Sequence, residues 1–108
     1  MAIWEGNPLT ADLIILPRAL RHGLSEGQIR HAWRNAIDFI RIDSDLGDGY
    51  YIKAIGFDAS SRPIEMSARA RECGLIVYHA NTPLSTRAQR EFGLNERGRK
   101  CLWFRRLN

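Results

Sequence analysis

The stretch RPIEMSARARECGLIVYHAN, residues 62–81, holds the side chains best suited to chemistry. Glu65, Arg69, Arg71, Tyr78 and His79 bring together a carboxylate, two guanidiniums, a phenol and an imidazole. A guanidinium fork binds two phosphate oxygens at once. An imidazole changes protonation near neutrality, so it can give or take a proton under physiological conditions. The combination suits phosphate recognition coupled to proton transfer. Each residue also has a plainer role. The arginines fit a solvated strand face with Glu65 as neutralising partner. His79 fits a hydrogen-bonded, partly buried ring, and Tyr78 a packing residue with a wet hydroxyl.

The elements that carry these residues decide between the two. Read as a strand, PIEMSARAR sends Glu65, Ser67, Arg69 and Arg71 to one side and Ile64, Met66, Ala68 and Ala70 to the other. The apolar set must face helices, so the charged set is expected on an open sheet face. In LIVYHAN, simple alternation groups His79 with Leu75 and Val77, on the more apolar side but at a strand end within reach of a rim. In YYIKAIGF, Tyr51 and Lys53 share a side with Ile55 and Phe57, which leaves the direction of that side open.

Around this hairpin the chain reads as follows. SEGQIRHAWRNAI predicts a helix, with Ser25 as N-cap, Glu26 in the first turn, and Ile29, Ala32, Trp33 and Ala36 at helical spacing. Upstream, Pro17 suits the first turn of another helix running through His22, with Gly23 as its stop. DLIIL fits either a strand or a helical turn. IDFIRID, YYIKAIGF, PIEMSARAR and LIVYHAN are strand-like, and their short links predict an antiparallel meander. Ser85 and Gly93 bracket a short helix. The expected fold is α+β: two N-terminal helices, a four-stranded antiparallel sheet and a short C-terminal helix. Residues 1–93 are expected to form one domain and 94–108 a basic, aromatic tail. Leu102, Trp103 and Phe104 argue that this tail packs on the domain with its arginines outside. His31, beside Trp33, is expected to be structural, and His22 to be a cation at a helix C-terminus.

Composition sets the outer limits. At 108 residues, 44% hydrophobic and 26% charged, the chain has material for one modest core. No run approaches the roughly 18 apolar residues needed to cross a bilayer, and the first residues do not resemble a signal peptide, so a cytoplasmic, membrane-free protein is expected. Cys73 and Cys101 have no partners at metal-binding spacing, and free thiols are expected, with no metal and no cofactor. Residues 1–59 hold six Lys/Arg and eight Asp/Glu, whereas residues 60–108 hold ten and four. A basic half of this kind suits a polyanion or an acidic protein, and equally a solvated surface.

Three motifs carry a family resemblance. LRHGLSEGQIRHAWRNA is similar to the opening of BrnT-like toxins, and Met66-Ser67-Ala68-Arg69 resembles that family's Ile-Ser-Ala-Arg strand. His79-Ala80 looks like the strand end of related small toxin-like domains of actinobacteria. The likeness spans residues 17–83 in order and spacing. It implies a type II toxin–antitoxin toxin with a BrnT/RelE-like, microbial-ribonuclease-like architecture that cleaves RNA without metal and so arrests translation. The implied partners are RNA, a cognate antitoxin protein, and promoter DNA only as the toxin–antitoxin complex. Such cleavage activates a 2′-hydroxyl, stabilises a pentacoordinate phosphate and protonates the departing 5′-oxygen. The expected catalytic set is Arg69 on phosphate, His79 or Tyr78 as acid or base, and Glu65 as carboxylate base. Lys53, Arg71, Arg87 and Arg90 are the expected RNA-binding cations. The alternative is a non-catalytic module that binds RNA or protein.

Overall fold

The computed structural model describes residues 3–100. Ser25 caps helix α1 (Glu26–Arg34): its Oγ accepts the Gln28 N–H at 3.1 Å, and the Gln28 side chain accepts the Ser25 N–H at 2.7 Å. A cap of this kind contributes about 1 kcal/mol. The helix turns Ile29, Ala32 and Trp33, all fully buried, toward the sheet. The Trp33 indole N–H donates to the Pro8 carbonyl at 2.7 Å, so the largest core side chain buries no unpaired polar atom.

Five strands form one sheet: β1 (Leu13–Ile15), β2 (Asp38–Asp43), β3 (Tyr50–Phe57), β4 (Pro63–Arg71) and β5 (Gly74–Asn81). Their spatial order is β1-β5-β4-β3-β2. Strands β2 to β5 pair antiparallel in sequence order, and β1 lies parallel to β5 with Leu13 opposite Leu75. One face is the core. Ile52 and Ala54 of β3, Ile64, Met66, Ala68 and Ala70 of β4, and Leu75 and Val77 of β5 are buried there with the α1 residues. Each large aliphatic side chain so buried contributes about 1.5–3 kcal/mol. Gly56 lets the helix approach: a Cβ there would stand 1.9 Å from the Ala32 carbonyl oxygen.

The expected fold of two N-terminal helices over four antiparallel strands is therefore corrected to one N-terminal α-helix and a five-stranded mixed sheet. Pro17–Leu20 forms a single 3-10 turn instead of a helix reaching His22. The reason lies on either side of it. The Leu16 N–H donates to the Val77 carbonyl at 3.0 Å, which keeps the chain extended up to Pro17. Leu16 supplies no side-chain cap, and Gly23, at φ 75°, breaks the helical path before Ser25 starts α1. Only one short turn fits between these limits.

A second, smaller helix, α2 (Thr86–Phe92), is capped by Ser85, whose Oγ accepts the Ala88 N–H at 3.1 Å, and ends at Gly93. It lies over the opposite face of the sheet, where Leu84, Ala88 and Leu94 bury Ile55. That contact settles the direction of the Tyr51, Lys53 and Ile55 side of β3: it is the non-core face, covered at the Ile55 end. Beyond α2, the backbone of Asn95 to Gly98 turns so that Leu94 and Lys100 form an isolated antiparallel bridge. The expected packing of Leu102, Trp103 and Phe104 lies outside the described residues. No helix among the described residues is long and apolar enough to cross a membrane.

Candidate functional site

Strand β5 does not keep simple alternation. Ser67 pairs with His79 but the adjacent Ala68 pairs with Val77, so Tyr78 is an extra residue with no partner in the ladder. Such a β-bulge shifts the parity of everything after it. His79 thereby leaves the apolar side on which alternation placed it and joins Glu65 and Ser67 on the non-core face. Val77 and Ala80 remain in the core. One inserted residue thus turns an imidazole from the interior to a cleft.

Two clefts meet at Ser67 and His79. The larger, about 360 Å³, runs under α2 and is lined by Lys53, Glu65, Ser67, His79, Arg87 and Glu91, among others. Its charges are largely neutralised within it. Lys53 Nζ lies 2.7 Å from a Glu91 carboxylate oxygen, with both side chains mostly covered. Arg87, 82% exposed, reaches the same carboxylate at 3.8 Å. Glu65 accepts the Ser85 N–H at 2.6 Å and the Ser85 hydroxyl at 3.1 Å, so its carboxylate fastens the start of α2 to the sheet. Its Oε2 stands 3.7 Å from His79 Nε2, too long for a hydrogen bond but close enough to balance a charged ring.

The smaller cleft, about 280 Å³, is lined by Arg18, Arg21, His22, Ser67, Tyr78 and His79. Here there is no carboxylate, and the two imidazoles approach edge to face at 5.9 Å. The larger cleft balances its cations with acids, so a phosphate would displace existing pairs there. In the smaller cleft it meets two guanidiniums without an acidic competitor. The smaller cleft is the better anion site. Arg18 and Arg21 were not singled out in the sequence, and His22 was read there only as a cation at the end of a helix that the structure does not form. The signal was the spacing: Arg18 and Arg21 stand three apart, which a 3-10 turn of three residues per turn stacks on one side.

Arg69 and Arg71 lie on the same face of β4 as Glu65 and Ser67, farther toward its C-terminal end. The Arg69 guanidinium sits 2.9 Å from Asp48, with both groups substantially exposed, and 5.2 Å from the centre of the Tyr51 ring. The Asp48 carboxyl is held below its ordinary range, chiefly by the Ser44 side chain and in smaller part by Arg69 and Arg71, against the opposing effect of desolvation. A solvent-screened pair of this kind holds weakly, so Arg69 remains open to competition from a phosphate. Arg90 is exposed on α2 and lines neither of the two clefts. Of the eight residues expected from sequence, Lys53, Glu65, His79 and Arg87 converge on one cleft, and Tyr78 joins His79 in the other. Among the described residues no cluster of His, Cys, Asp or Glu is placed to hold a metal ion.

Comparison with family models, with curated proteins and with solved structures found no match to this chain.

Proposed function

We propose that this protein is a metal-independent endoribonuclease of the type II toxin class, acting in the cytoplasm on RNA and held in check by a cognate antitoxin. The reading rests on one arrangement: His22 and His79 facing each other at 5.9 Å in a cleft that Arg18 and Arg21 make cationic. In the proposed reaction His22 takes the 2′-hydroxyl proton, and the 2′-oxygen bonds to phosphorus. The bond from phosphorus to the 5′-oxygen breaks, and His79 delivers a proton to that oxygen. The products are a 2′,3′-cyclic phosphate and a free 5′-hydroxyl. His79 is assigned the acid because the Glu65 carboxylate, 3.7 Å away and fixed by Ser85, balances the charge of its protonated ring. Glu65 is then a positioning residue. The guanidiniums of Arg18 and Arg21 stabilise the charge gathering on the phosphorane.

A second reading is a non-catalytic RNA- or protein-binding module: Lys53 is engaged by Glu91 and Arg69 by Asp48, so two cations expected to act on RNA already have structural partners. Labelled single-stranded RNA incubated with the full chain in EDTA separates the two. Cleavage is expected, falling by roughly 100- to 10,000-fold in His22→Ala and in His79→Ala with circular dichroism unchanged. Wild-type protein that binds RNA but leaves it intact at every pH between 5 and 9 would overturn the enzyme and favour the module.

A further inference from the structure

We infer that the RNA recognised is single-stranded, with unpaired bases stacked on a platform formed by Tyr51 and Tyr78; this rests on the phosphate cleft of the proposed function and names the substrate that fits it. The two rings meet edge to face at 6.3 Å across the non-core face of β4. Each has a guanidinium near it: Arg69 Cζ is 5.2 Å from the Tyr51 ring centre and Arg18 Cζ 5.5 Å from that of Tyr78. Both tyrosines are half-buried, and neither hydroxyl bonds to a described residue. Tyr50 shows the contrast. It lies on the core face, is 4% exposed, and its hydroxyl donates to the Trp4 carbonyl at 2.7 Å, a structural duty that fully occupies it.

The bulge explains why Tyr78 is available. As the extra residue of β5 it is outside the ladder, beside His79 and on the rim of the cationic cleft. A phosphate held by Arg18 and Arg21 therefore has a phenol ring next to it, with a second ring on β3, on the far side of β4. Phenol rings and guanidinium planes both stack on nucleobases, and they do so with little sequence preference. In a duplex both faces of each base are covered by neighbouring pairs. Only an unpaired nucleotide can lay its base on this surface while its phosphate reaches the arginines.

The test is fluorescence anisotropy of the full chain with a labelled adenosine-rich RNA strand, free and annealed to its complement, in EDTA at fixed salt. The free strand is expected to bind at least about tenfold more tightly than the duplex. Tyr51→Leu should weaken binding of the free strand by about tenfold, the scale of one lost base stack, while Tyr51→Phe, which keeps the ring, retains it. Thermal melts of both variants report whether they fold, and the comparison of strand with duplex on wild-type protein stands without them. Equal binding of strand and duplex, or full affinity in a folded Tyr51→Leu, would sink the platform. Preference for the free strand without cleavage would keep the platform and refute the enzyme. No RNA binding at all would refute both.

Discussion

Asp58 is the single charged side chain buried among the described residues, only 4% exposed, and its surroundings account for its tolerance of that position. Its Oδ1 accepts the N–H groups of Ser60 and Arg62, each at 2.9 Å, and its Oδ2 lies 2.8 Å from the Arg62 guanidinium. Burial works to raise the carboxyl, but these donors outweigh it and hold it below its ordinary value. A carboxyl lowered on folding stabilises the native state above its unfolded pKa of about 4, and loses that contribution as pH falls through the lower folded value. Asp58→Asn is therefore expected to melt roughly 5–10 °C lower at pH 7, with a shallower loss of stability than wild type between pH 4 and pH 2. Thermal melts by circular dichroism across that range check both effects. At this scale the sequence was partly legible. The charged side of PIEMSARAR follows from alternation alone. The orientation of His79 does not, because a bulge has no marker in residue type and reverses the parity that alternation assigns.

Elements with their own punctuation were legible. Ser25, and Ser85 with Gly93, announce α1 and α2 through local capping that depends on no distant partner. Strand β1 had no such markers. Leu13, Ile14 and Ile15 are too few to show a period, and their pairing partner, β5, is separated from them in sequence by three other strands. The same missing partner hid the limit on the turn after Pro17. Close packing between elements was also invisible beforehand, and Gly56 carries its clearest consequence. A methyl group there would overlap the Ala32 carbonyl oxygen and lie 2.7 Å from the Ala32 carbonyl carbon, both backbone atoms of a capped helix. Neither strand nor helix can yield without opening the core at Trp33. Gly56→Ala is expected to cost about 3 kcal/mol or more, read as a lower midpoint in urea unfolding. A midpoint within error of wild type would mean that α1 sits farther from β3.

Over the whole molecule, charge divided by sequence misleads. The chain carries a net charge of +4, and its first half holds more acids than bases. Folding nonetheless takes Arg18 and Arg21 from that half and sets them beside His79 from the other. Binding of single-stranded RNA should therefore lose about 0.7 from the slope of log affinity against log salt in Arg18→Ala, and again in Arg21→Ala. Arg90→Ala, which alters neither cleft, should leave the slope where it is. Salt titrations of the same anisotropy signal measure all three. The parallel pairing of β1 with β5 has a further consequence, in time rather than in space. Local turns and hairpins close short loops, whereas joining β1 to β5 brings together segments with three strands between them in sequence and closes a long one. His22 rides on the segment that follows β1, and His79 belongs to β5. The two imidazoles therefore meet only once β1 and β5 are paired, and an unfolded chain carries all the parts of the cleft and none of its geometry.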